Sequence, residues 1–95
     1  MRARKWPEKY QPALINDLKA ADRLVSTFRA HHDLGVQKGA MELDTALNWC
    51  LVELMSDVGL DDLAGALADV RDARNGLDLA VRLAEGVVEV EEQAA

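Results

Sequence analysis

The sequence predicts an all-α protein, a small bundle of three or four helices, and three observations lead to that prediction. Ala, Leu, Asp, Glu and Arg dominate the chain after two early prolines, Pro7 and Pro12, and most of these residue types favour helices. Apolar residues, valines included, recur at steps of three and four and do not alternate with polar residues. The 95 residues are enough for one core that buries about 60 to 65% of the unfolded surface.

Residues 1–11 carry basic and aromatic side chains without an apolar period, and we call this segment the basic arm. We predict that it is exposed, that it binds an acidic neighbour, and that deleting residues 1–10 changes stability little. Nucleic acid is not the expected partner, because four positive charges beside an acidic body give only a small footprint. Residues 12–95 are predicted to form the single helical domain. The candidate binding residues of the arm are Arg2, Arg4, Lys5, Trp6, Lys9 and Tyr10.

The first helix is predicted to begin at Pro12, because the missing N–H of a proline would have no partner in the first turn of a helix. The helix is expected to end near His31 or His32. Its apolar stripe recurs at steps of four and three and comprises Leu14, Leu18, Ala21, Val25 and Phe28.

Residues 32–39 are predicted to connect the first two helices. They contain Gly35 and Gly39 and no apolar period, so we expect these glycines to adopt positive φ. A second helix then follows, and Gly59 stands where a left-handed residue would end it. The apolar stripe of this helix comprises Leu43, Leu47, Cys50, Leu54 and Val58, and it is widened by Leu51 and Met55.

The last third of the chain has one apolar register that runs from Leu60 to Val88 through Asn75-Gly76. Asparagine and glycine in mid-helix together cost on the order of 1 to 2 kcal/mol, which favours a turn there and a four-helix bundle. Charges spaced by three or four residues favour instead one continuous helix about 45 Å long. We predict the turn and keep the continuous helix as the alternative.

Beyond Gly76 the last helix is predicted to be apolar on two faces. A small bundle covers one such face, so a second copy, a foreign partner or the remaining helices must cover the other. A two-fold dimer would lay the same patch against itself. We therefore predict a homodimer, and the residues of its interface are Leu79, Leu83, Val87 and Val90.

Few residues have the spacing that catalysis or metal binding requires. His31 and His32 are adjacent, so their side chains diverge by about 100° on a helix. Asp69 and Asp72 are three residues apart, but a magnesium site in a bundle needs a second such pair facing them. Cys50 lies on an apolar stripe, which predicts a buried thiol. We expect no enzyme activity, no cofactor and no metal.

The stretch Leu47–Leu67, LNWCLVELMSDVGLDDLAGAL, resembles the closing helix and following turn of the all-α nucleoside triphosphate pyrophosphohydrolase (MazG-like) family. The likeness covers the aromatic residue in the helix, the Gly-Leu-Asp turn and the next helix, and it implies a nucleotide-handling protein. The metal ligands of that family come as E-x-x-E and E-x-x-D. Here Glu42 is followed three residues later by Thr45, and the first helix offers D-L-K-A-A-D, so no catalytic residue carries over and the metal site is incomplete.

The net charge of -6 is unevenly distributed, with +4 in residues 1–38 and -10 in residues 39–95. Because these halves attract each other, the pattern favours packing or assembly within the protein. One cysteine, no apparent leader and no long apolar run predict a soluble cytoplasmic protein. We predict a non-catalytic protein-protein interaction or assembly module, such as a small inhibitor or adaptor of phage or mobile-element type. A nucleotide-handling protein is the alternative.

Overall fold

The computed structural model describes residues 4–7, 9–56 and 60–86. They form three α-helices: α1 (Pro12–Phe28), α2 (Leu34–Met55) and α3 (Leu60–Ala84). This part of the chain contains no strand, so the predicted all-α class is confirmed, with three helices. No helix among these residues is long and apolar enough to cross a membrane.

Helix α1 begins at Pro12 as predicted and ends at Phe28, three residues before the expected end. The chain then turns over residues 29–33. The residues of α1 that face the core recur at steps of three and four, which confirms an amphipathic helix. The buried ones are Ile15, Leu18, Ala21 and Val25.

Helix α2 begins at Leu34, so the predicted connection over residues 32–39 is wrong. The side chain of Asp33 caps the helix, because its Oδ1 accepts a hydrogen bond of 3.0 Å from the backbone N–H of Val36. Gly35 and Gly39 therefore lie inside the helix, and neither has the positive φ that we expected. A good N-cap outweighs the low helix propensity of two glycines.

Helix α2 is the central helix, since both α1 and α3 pack mainly against it. At Gly39 the backbones of α2 and α3 come so close that a Cβ atom would lie 3.2 Å from the Cα of Leu77. The central positions of the predicted stripe of α2 are fully buried over its described part, but Met55, predicted to widen that stripe, is 68% exposed. Val58 and Gly59 lie outside the described residues. The α2 residues with no exposed area are Val36, Ala40, Leu43, Leu47, Cys50 and Leu54.

Helix α3 runs unbroken through Asn75-Gly76, so the predicted turn is wrong and the alternative of a continuous helix is right. Val70 and Leu77, on either side of that pair, are both buried. Burying Val70 and Leu77 on one continuous helix offsets the cost of about 1 to 2 kcal/mol that Asn75 and Gly76 together bring to a helix. The helix ends at Ala84, and Gly86, at φ 78°, then adopts the left-handed conformation typical of a helix end.

Candidate interaction surfaces

The guanidinium group of Arg4 joins the N-terminal segment to both α1 and α2. It forms ion pairs with Asp22 of α1 and Asp44 of α2. Its Nε donates a hydrogen bond of 2.9 Å to Oδ1 of Asn48, and its Nη2 donates one of 2.9 Å to the carbonyl oxygen of Asp44. Only 11% of the Arg4 side chain is exposed. Charged partners and several hydrogen bonds together offset the desolvation of this group.

Two aromatic residues fix the same segment further along. The indole Nε1 of Trp6 donates a hydrogen bond of 2.8 Å to Oδ2 of Asp22, and the ring belongs to the core with 6% of its surface exposed. The hydroxyl of Tyr10 donates a hydrogen bond of 2.9 Å to the carbonyl oxygen of Leu54, in the last turn of α2. The aromatic pair therefore anchors the segment at both helices.

The prediction of an exposed basic arm is thus wrong for Arg4 and Trp6. The acidic partners of Arg4 are carboxylates of the same chain, and Trp6 packs inside it. Lys5 and Lys9 are exposed as expected, whereas Arg2 lies outside the described residues. Sequence periodicity could not reveal this packing, because the segment is not a helix and its partners are distant in the chain.

Cys50 lies in the core, as predicted, with no exposed area. Burial raises the pKa of its thiol to about 11, and the negative charge of Glu53 adds to the effect. The thiol is therefore protonated at neutral pH and is a poor nucleophile.

The described residues contain no group of three or more His, Cys, Asp or Glu side chains that could hold a metal ion. Asp69 and Asp72 are both exposed on α3. His31 instead serves the turn before α2, since its Nδ1 accepts a hydrogen bond of 3.0 Å from the backbone N–H of Asp33. Its ring stacks on that of His32 at 4.2 Å between centroids.

The predicted interface on the last helix is only partly described. Leu79 and Leu83 lie one turn apart on the side of α3 that faces away from α2, and they are 50% and 47% exposed. Val87 and Val90 lie outside the described residues. The described helices therefore leave about half of each of these two side chains exposed.

A larger apolar surface lies on α2, and the patterns described above did not predict it. Each of its side chains points away from the core and is at least half exposed, and we call this surface the outer α2 face. Near its N-terminal end, Leu34 and Met41 line a shallow groove of about 490 Å³. A helical wheel of α2 would have shown a second apolar stripe opposite the buried one. The outer α2 face comprises Leu34, Met41, Trp49, Val52 and Met55.

No protein-family model, no curated protein and no solved structure matches this chain. The resemblance of Leu47–Leu67 to the pyrophosphohydrolase family thus has no support beyond the residues that suggested it. Within that stretch, Trp49 is 64% exposed and belongs to the outer α2 face. Any functional interpretation must therefore start from the surfaces described above.

Proposed function

We propose that the protein is a non-catalytic interaction or assembly module that acts by binding another polypeptide, in the manner of a small inhibitor or adaptor of phage or mobile-element type. The observation that carries this proposal is the outer α2 face, whose five large apolar side chains are 52 to 77% exposed. Contiguous apolar patches on a protein surface mark sites of interaction. Tryptophan and methionine, both present here, are enriched at the centres of interfaces.

The chemistry of the described residues agrees with a binding role. Cys50, the nucleophile with the greatest intrinsic reactivity, is buried and its pKa is raised to about 11. Every buried side-chain nitrogen or oxygen in the described part has a hydrogen-bond partner, as in an ordinary structural core. The exposed apolar side chains are the groups whose burial against a partner would give the most favourable free energy of binding.

Leu79 and Leu83 give the protein a second, smaller apolar surface, which is part of the homodimer interface predicted from the sequence. Leu83→Glu tests that interface by sedimentation equilibrium. If the protein dimerises through α3, the variant becomes a folded monomer, because a carboxylate cannot be buried there without a partner. A dimer that survives Leu83→Glu would place the interface elsewhere.

Photo-crosslinking inside cells tests the proposed function itself. A benzophenone amino acid replaces Met41, which is 66% exposed on the outer α2 face, and in a control it replaces Thr27, which is exposed on α1. We expect position 41 to form one defined adduct with a polypeptide, either a second copy or another protein. Position 27 should form none. Equal crosslinking from the two positions, or none from position 41, would refute the interaction module.

A further inference from the structure

We propose that the α1–α3 cleft, the space between residues 14–28 of α1 and residues 64–81 of α3, binds an amphipathic helix of another protein that carries an acidic residue for Arg74. This inference goes beyond the proposed function, because the cleft is separate from the outer α2 face. Three features support it: the arrangement of the helices, the apolar lining of the cleft, and the position of Arg74.

The three helices occupy three corners of a four-helix bundle. Helices α1 and α3 each pack along α2 but make little contact with each other. The earlier residues of α1 and α3 line one end of the cleft and their later residues line the other, so these two helices run in the same direction. Helix α2 runs opposite to them, since Tyr10, just before α1, bonds to Leu54 at the end of α2. In an up-down-up-down bundle two such parallel helices lie on a diagonal, and a fourth helix fills the remaining corner, which is here the cleft.

The cleft is apolar along its length and consists of two cavities of about 470 and 380 Å³. Buried Leu18, Val70 and Leu77 form its floor. From the first to the last α1 residue that lines it, the cleft is about 21 Å long, which is the length of a helix of about 14 residues. A helix of that length would place apolar side chains at steps of three and four into such a groove. The half-buried side chains of the walls are Leu14, Leu24, Phe28, Leu67 and Val81.

Arg74 lies where the two cavities meet, since it lines both. It is half-buried and forms no ion pair or hydrogen bond with any of the described residues. The other charges of the cleft are balanced, because Asp78 pairs with Arg82 at 3.3 Å. Asp17 and Arg71 are exposed charges of opposite sign in the same cavity. A carboxylate in the middle of a partner's apolar face would pair with Arg74, whereas an anion with a single apolar tail would fill only one cavity.

Selection from a phage-displayed peptide library tests the chemistry of the partner. Each peptide is an amphipathic helix of about 16 residues, and the central position of its apolar face carries any amino acid. The unmodified chain should select Asp or Glu at that position, and Arg74→Glu should select Lys or Arg. Circular dichroism checks that the variant is folded, which we expect because Arg74 has no partner to lose among the described residues. A selection that yields no bound peptide, or one without this reversal of charge, would overturn the proposal.

Fluorescence anisotropy of a selected peptide tests where it binds. Ala64 is exposed and lines the cleft, so Ala64→Trp should obstruct it and weaken binding at least about ten-fold. Gly76→Trp is the control, because Gly76 is exposed on the same helix with open space around it, and the affinity should stay within about two-fold. Binding that Ala64→Trp leaves unchanged, or that both variants weaken equally, would overturn the proposal. Crosslinking from position 41 probes the outer α2 face, so failure of the cleft leaves the proposed function standing.

Discussion

At the scale of single residues, the fold changes the acid-base behaviour of Cys50. Its pKa is 9.0 in the absence of the fold and about 11 in the folded protein, chiefly because burial disfavours the thiolate. Between these two values the unfolded chain releases the proton while the folded chain retains it. The stability that the buried thiol contributes is therefore fully present below pH 9 and is lost as the pH rises through about 11.

We expect the free energy of unfolding to fall between pH 9 and 11 by an additional amount of about 2 kcal/mol compared with Cys50→Ala. The alanine variant is the control, because it keeps every other group that titrates in this range. At neutral pH the same variant should be less stable by about 1 kcal/mol, since it leaves a small cavity. Urea unfolding at several pH values measures both effects. Parallel pH profiles would show that the thiol is not buried.

The native thiol should also react slowly with a thiol reagent at pH 8 and react rapidly once the protein is denatured. The physical reason is that Cys50 has no exposed area, so the reagent must wait for an opening of the core. Denatured protein serves as the control for reagent activity. Equal rates in the two states would place Cys50 at the surface.

Trp6 is the residue of the described N-terminal segment whose side chain belongs to the core. Trp6→Ala should lower the free energy of unfolding by about 3 to 5 kcal/mol, because it empties a buried site. Trp6→Phe keeps most of the ring and removes the N–H that Asp22 accepts, so a loss of about 1 kcal/mol is expected. Urea unfolding gives both values.

Lys5→Ala is the matched control for Trp6, since Lys5 is the exposed neighbour in sequence and its replacement should change stability by less than about 0.5 kcal/mol. The packing of this segment also changes what we expect from deleting residues 1–10. The sequence predicted little effect on stability, but the deletion removes the contacts of Arg4 and Trp6 and should destabilise the fold strongly. A truncated chain as stable as the full one would contradict the packing of Trp6.

At the scale of elements, the glycines of α2 and α3 differ in how much space surrounds them. Gly39 lies where α2 and α3 nearly touch, whereas nothing lies within 4 Å of a Cβ placed at Gly76. Gly39→Ala must push the two helices apart and should destabilise the protein by about 1 to 3 kcal/mol. Gly76→Ala gains helix propensity without a clash and should stabilise it by up to about 1 kcal/mol.

Urea unfolding of these two variants also tests the continuity of α3. If Asn75-Gly76 formed a turn, Gly76→Ala would be destabilising, since alanine tolerates positive φ poorly. Gly65→Ala is the control, because Gly65 likewise has open space around it inside α3 and should gain a similar amount.

Periodicity predicted the buried faces of the helices well. Leu43, Leu47, Cys50 and Leu54 all lie in the core, because apolar residues at steps of three and four share one helix face and that face packs against the neighbouring helices. Helix ends were predicted less well. The start of α2 depends on the Asp33 cap, and the path through Asn75-Gly76 depends on core packing, which outweighs local propensity.

The candidate surfaces were harder to predict than the core. Leu79 and Leu83 were identified because they repeat beside a predicted buried row, and the described helices leave about half of each side chain exposed. The outer α2 face escaped attention because Thr45 and Asn48 interrupt it. The inward position of Trp6 depends on Asp22, sixteen residues further along, and no local pattern encodes such a contact.

At the scale of the whole molecule, the proposed function excludes turnover of nucleotides. Purified protein with Mg²⁺ or Mn²⁺ should release no pyrophosphate from any nucleoside triphosphate above background, because the described carboxylates do not converge into a site for a metal ion. A colorimetric pyrophosphate assay measures this, with an active pyrophosphohydrolase as the positive control. Turnover that disappears in Asp69→Ala or Asp72→Ala would establish an enzyme and restore the family resemblance.

The contacts of the N-terminal segment also determine when it docks during folding. Arg4 and Tyr10 leave the ribosome before their partners, which lie 18 to 44 residues later in the chain and on two helices. The segment can dock only after α1 and α2 have come together, so it is synthesised before these two helices and reaches its place after them. Tyr10→Phe should therefore accelerate unfolding and leave the refolding rate unchanged in stopped-flow experiments.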